Sequence, residues 1–91
     1  MVLRVLLASR FREEAGAKEI VKEDVGDYYL ADLISELKAK LGGIFSEIMD
    51  EEGNVSDHVL LLLNGMRIKK LRDIKLRDGD VVFITLDTPG G

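Results

Sequence analysis

Leu76-Arg77-Asp78-Gly79-Asp80-Val81-Val82-Phe83-Ile84-Thr85-Leu86-Asp87-Thr88-Pro89-Gly90-Gly91 is the stretch from which the rest of the chain is read. Asp78-Gly79-Asp80 is a turn signal, because glycine tolerates positive φ and aspartate bonds its own backbone. The run from Val81 to Leu86 is rich in Val, Phe, Ile and Thr and predicts a buried strand. It passes through Asp87, Thr88 and Pro89 into Gly90-Gly91. The pattern predicts a globule over 1–86 that acts as a handle, and an extended tail over 87–91 whose carboxylate at Gly91 is where the chemistry happens.

Working back from that strand, the other elements follow from periodicity. Val2 to Ala8 predicts a strand with Leu3, Val5 and Leu7 inward and Arg4, Leu6 and Ala8 on the opposite face. Ser9 to Gly16 is polar and reads as a connection. Ala17 to Glu23, with Ile20 and Val21, is the expected hairpin partner of the first strand. Asp24 to Asp27 turns the chain, with Asp27 as the expected helix cap. From Tyr29 to Leu41 the period becomes helical: Leu30, Leu33, Ile34, Leu37 and Leu41 form one stripe, and Asp32, Glu36, Lys38 and Lys40 the other. Gly42-Gly43 ends the helix, and Ile44 to Met49 adds a further helical turn. Asp50 to Asn54 is an exposed loop. His58 to Leu63 is a strand stopped by Asn64-Gly65, Met66 to Ile68 a short edge strand, and Leu71 to Ile74 a tight turn. One helix between separate pairs of strands covers one face of a mixed sheet and leaves the other open, with a right-handed crossover into the parallel pairing. The expected fold is therefore α+β, a β-grasp (ubiquitin-like) sheet of four to five strands with one main helix on one face.

Size and composition set limits. Ninety-one residues suit one domain with a modest core. Hydrophobic residues at 46% and charged residues at 33% describe a soluble globule. A net charge of −4 argues against a general nucleic-acid binder and favours basic partner surfaces. Without cysteine, the chain has no disulfides, thiolate metal sites or thiol catalysis. Neither a secretory leader nor an apolar run long enough to span a bilayer is visible, so the expectation is a cytoplasmic protein.

Asp57-His58-Val59 entering a strand, Leu63-Asn64-Gly65 leaving it, the segment from Leu76 to Val82 and the terminal Gly90-Gly91 together resemble the MoaD/ThiS family of ubiquitin-like sulfur carriers and the archaeal small modifier proteins. Ala15-Gly16 and the acidic Asp50–Asn54 loop extend the likeness over nearly the whole chain. Molybdopterin-type carriers have a Phe-Pro-Pro-like segment ahead of small residues and the diglycine, where this chain has Thr85-Leu86-Asp87 and then Thr88-Pro89. Val82 to Leu86 is equally similar to the ubiquitin-related modifier that serves tRNA thiolation, so the destination of the sulfur stays open. The resemblance implies that a ubiquitin-activating-type enzyme, using its own ATP and magnesium, joins the Gly91 carboxylate to AMP. A sulfur nucleophile then gives a thiocarboxylate, passed to a molybdopterin synthase large subunit or another acceptor. An amine nucleophile would instead give an isopeptide bond to a target lysine. A β-grasp interaction domain with an idle tail is the third reading. In none of them does this chain bind a cofactor or act as an enzyme.

The residues themselves suit that chemistry. Gly90 and Gly91 lack Cβ, so the backbone can thread a narrow channel and lie flush against phosphate. Pro89 fixes its own φ and pushes Thr88 toward extended conformations. From Asp87 to Gly91 the extended reach is about 17 Å, at roughly 3.4 Å per residue. With Leu61, Leu63, Val82 and Ile84 toward the helix, Leu60, Leu62, Val81 and Phe83 point away beside Leu6, forming a docking surface unless the 44–49 segment or a loop covers it. His58 has no metal-ligand partner at useful spacing. The basic stretch Arg67, Lys69, Lys70, Arg72, Lys75 and Arg77 has no interleaved aromatics to stack bases, and reads as a solvated rim that meets an acidic partner.

Overall fold

The alternation of Leu3, Val5 and Leu7 with Arg4 and Leu6 produces the first strand, β1 (Val2–Leu7), with all three inward residues buried. The computed structural model describes residues 1–23 and 26–87. The chain continues through helix α1 (Ser9–Ala15), strand β2 (Glu19–Glu23), helix α2 (Leu30–Leu41), a 3-10 turn (Gly43–Glu47), and strands β3 (Val59–Leu63), β4 (Met66–Arg67) and β5 (Val81–Leu86). The five strands form one sheet in the order β2-β1-β5-β3-β4. β1 and β5 are parallel, and every other pairing is antiparallel, so the sheet is mixed as expected.

The core lies between one face of the sheet and α2. Leu30, Leu33, Ile34 and Leu37 of the helix meet Leu3, Val5, Leu61, Val82 and Ile84 of the sheet in a single buried cluster. Leu41, at the last position of the stripe, remains exposed at the helix end. The 3-10 turn adds Ile44 and Phe45, and Ile48 follows; all three are buried in this cluster. They therefore do not act as a lid for the opposite face.

Two expectations are corrected. Ser9 to Gly16 is a helix rather than a plain connection, ending at Gly16 with φ 70° and its N–H on the Arg12 and Glu13 carbonyls. Seven residues are too few for a periodic pattern, and the segment's large apolar residue, Phe11, drives the coiling. Phe11 is fully buried, edge-on to Phe45 at 5.2 Å between ring centres and 72° between planes. Such an aromatic pair adds about 0.5–1.5 kcal/mol beyond area burial. Glu14 on α1 then accepts the Ile44 N–H at 2.7 Å, tying α1 to the 3-10 turn.

Asp27, in turn, does not cap α2. The helix begins at Leu30, too far along for that carboxylate to reach the first-turn amides. Asp27 instead pairs with Lys75 at 3.1 Å. Tyr29 is the cap residue: its N–H donates to the Asp32 carboxylate at 3.0 Å, and the Leu30 N–H donates to the Ile74 carbonyl at 2.8 Å.

Candidate functional site

Strand alternation builds the site. In β5, Val82 and Ile84 are buried, so Val81, Phe83, Thr85 and, one step on, Asp87 share the other face. The register sets Phe83 between Leu6 of β1 and Leu62 of β3, Val81 beside Arg4, and Thr85 beside Leu60. Leu6, Leu60, Leu62, Val81 and Phe83 are thus brought together on the face away from α2, each half-buried. They shield one another within the sheet, so the surface is a shallow apolar patch rather than fully exposed side chains.

Charged residues rim the patch. Arg4 makes a two-pronged contact with Glu19 on β2, at 3.2 and 2.8 Å. That hydrogen bond holds the Glu19 carboxyl below the usual carboxylate range and the Arg4 guanidinium above its ordinary value. On the other side Arg67 of β4 reaches Asp87 at 2.8 Å. At the turn end, Asn64 donates to Asp80 at 2.9 Å and accepts from the Val81 N–H at 2.9 Å.

Asp87 is where β5 runs out. Its N–H still donates to the His58 carbonyl at 2.9 Å, so the antiparallel ladder continues one residue beyond Leu86. The remaining predicted tail residues, Thr88, Pro89, Gly90 and Gly91, lie outside the described residues. His58 itself is half-exposed and faces Glu47 at 3.2 Å. Among the described residues no group of three or more His, Asp or Glu side chains is placed to hold a metal ion. In the basic stretch, Arg67 and Lys75 are committed to Asp87 and Asp27. No helix among the described residues is long and apolar enough to cross a membrane.

A second polar cluster sits on the helix side. Lys22 of β2 pairs with Glu36 of α2, whose carboxylate also accepts the Tyr28 hydroxyl at 2.9 Å. The hydrogen bond from Lys22 is the largest cause holding Glu36 below its ordinary range, and Tyr28 adds to it. Burial, with the same carboxylate beside it, pushes the Tyr28 hydroxyl up. This network fastens β2 to α2 and lies apart from the patch.

Two contacts at the site were not expected from the sequence: that of Arg67, placed there on a short edge strand and in a basic rim but not against Asp87, and that of Ser9. The signal for Arg67 was present in Asn64-Gly65. That dipeptide forms a two-residue hairpin turn with φ 51° and 84°, which fixes Leu63 opposite Met66 and Leu62 opposite Arg67.

A mixed five-stranded sheet grasping one long helix defines a class, the ubiquitin-like β-grasp proteins. The chain is 30% identical to a putative molybdopterin converting factor, subunit 1, from Pyrococcus furiosus, over 97% of this chain and 99% of that one, with a TM-score of 0.76. On that likeness it belongs to the MoaD-like family of ubiquitin-like sulfur carriers and small modifiers. It is also similar to the Haloferax volcanii HVO 2177 protein, 29% identical over 100% of this chain and 87% of that one, TM-score 0.82. SAMP1 from Haloferax volcanii, at 21% identity, with both chains covered at 100% and a TM-score of 0.76, shares the fold. No family model matches the chain, and no curated protein matches it.

Proposed function

We propose that this chain is a sulfur carrier whose Gly91 carboxylate is adenylated by a partner enzyme and converted to a thiocarboxylate, with molybdopterin as the sulfur's destination. In this reading 1–86 is the handle and 87–91 the working tail. The observation that carries it is the likeness, over almost the full length of both chains, to the Pyrococcus furiosus molybdopterin converting factor subunit. The apolar patch agrees with it. Leu6, Leu60, Leu62, Val81 and Phe83 form a face on which an activating enzyme and a synthase large subunit dock in turn, and the strand that carries Phe83 leads into the tail.

The chemistry belongs to the partner. A carboxylate is a poor acyl donor until it is joined to AMP, with release of pyrophosphate. A sulfur nucleophile then displaces AMP from the Gly91 carbonyl. This chain contributes an unhindered carbonyl, because Gly90 and Gly91 present no Cβ to crowd the attack. ATP and magnesium are held by the activating enzyme.

Incubation with a cognate adenylating enzyme, ATP, magnesium and a sulfur donor is expected to change the intact mass by one oxygen-for-sulfur exchange. Gly91→Ala is expected to reduce that species greatly. Absence of the exchange, under conditions that charge a known carrier, contradicts the proposal. Higher-mass adducts that carry a C-terminal remnant of this chain on lysine would select a protein modifier instead. Full function after deletion of Gly90-Gly91 would select an interaction domain.

A further inference from the structure

The end of β5 is held from three directions, and two of the three contacts, those from the Ser9 and Arg67 side chains, lie outside the backbone ladder. On the β1 side, Leu86 should find a strand carbonyl, but β1 ends at Leu7 and the chain turns into α1. Ser9 substitutes: its Oγ accepts the Leu86 N–H at 3.2 Å and lies 3.1 Å from the Thr85 hydroxyl. To do so Ser9 adopts φ 50°, a left-handed conformation uncommon outside glycine. On the β3 side the Asp87 N–H donates to the His58 carbonyl at 2.9 Å. From β4 comes the third contact, Arg67 Nη2 to Asp87 Oδ2 at 2.8 Å.

The last of these is long-range in the sheet. Arg67 stands opposite Leu62, whereas Asp87 stands opposite His58, four residues away along β3. Leu60 lies between them on the same face. The ion pair therefore bridges from β4 to β5 across β3 at the level of Leu60, along the rim of the apolar patch.

We propose that Arg67 is a positioning residue: through Asp87 it holds the last described residue of the β5 ladder in place for engagement by the activating partner. This rests on the carrier reading of Gly91. Any four residues span at most about 14 Å, so the place where Asp87 is held limits where the Gly91 carbonyl can be used. A freed Asp87 has to be ordered on binding, at a cost in affinity. The contact is charge-assisted and half-exposed, with side-chain exposures of 42% and 33%, so it is weakened by salt.

The test pairs amide hydrogen exchange of the free chain with activation kinetics. In Arg67→Ala the Asp87 N–H is expected to exchange about two- to fivefold faster, the ratio that an exposed ion pair supports, while Val82 is unchanged. KM of the adenylating enzyme for this chain should rise by a similar factor with kcat unaltered. The double exchange Arg67→Asp with Asp87→Arg should restore both, which a purely structural loss at position 67 would not. Unchanged Asp87 exchange overturns the anchor, and altered exchange with unchanged KM overturns the positioning role. A wild-type chain that the enzyme never charges removes the carrier reading itself, whatever the exchange data show.

Discussion

At the scale of single residues, Gly43 and Phe83 show how differently two positions respond to substitution. Gly43 has φ +50°, and a Cβ there would run into the Glu14 carboxylate that holds the Ile44 amide. Gly43→Ala is thus expected to lose roughly 1–3 kcal/mol, from backbone strain plus a disturbed charged hydrogen bond. The shift of the urea midpoint measures it. Phe83 is only half-buried, on the face away from α2. Phe83→Asp should cost roughly 1–2 kcal/mol of stability, from its half-buried ring and the poor strand propensity of Asp, yet weaken binding to the activating enzyme at least tenfold, read by calorimetric titration. A large loss of stability with binding intact would show that the patch serves the fold and not a partner.

At the scale of elements, α1 was illegible in the sequence for a physical reason. A seven-residue helix has room for one apolar anchor, and no periodicity can be seen in a single Phe. Its stability comes from tertiary packing of Phe11 on Phe45, not from propensity. Phe11→Ala is accordingly expected to cost about 3–5 kcal/mol, checked by chemical denaturation, and to loosen the α1 amides in hydrogen exchange. The other elements were legible because each repeats its pattern: α2 shows five apolar residues at helical spacing, and β3 and β5 are apolar runs closed by Asn64-Gly65 and Asp78-Gly79. The composition of the patch was also legible, since alternation alone puts Leu6, Leu60, Leu62, Val81 and Phe83 on one side. What alternation cannot give is strand order. Only the pairing of β5 with both β1 and β3 places Phe83 between Leu6 and Leu62, and brings Arg67 across to Asp87. The α2 cap at Asp27 failed because the helix begins at Leu30 with Tyr29 as its cap, a start set by the Asp32 carboxylate and by the Ile74 carbonyl, which is remote in sequence.

At the scale of the whole molecule, electrostatics sets a pH window for stability. Glu36 and Glu19 have carboxyls held below their ordinary value of 4.5 by Lys22 and Arg4. A depressed acid contributes stability that is complete above its unfolded value and is lost as pH falls through the folded one. The urea midpoint should therefore decline below about pH 4.5, and Glu36→Gln should flatten that decline. At the alkaline limit the signs reverse. The Tyr28 hydroxyl and the Lys75 ammonium both titrate above their ordinary values, so what they contribute is present at neutral pH and is lost only as pH rises through the raised values. Between these limits the domain keeps its buried core, and the proposed function uses it to present one carbonyl.

Isotopic pyrophosphate–ATP exchange by the adenylating enzyme, measured with the full chain and with the chain lacking Gly90-Gly91, tests that claim most directly. It reads the acyl-adenylate step alone, before any sulfur or lysine acceptor is chosen. Exchange that requires this chain and disappears with the diglycine is the predicted result. Equal exchange from the shortened chain, or none from the full one, would contradict the assignment of the chemistry to Gly91.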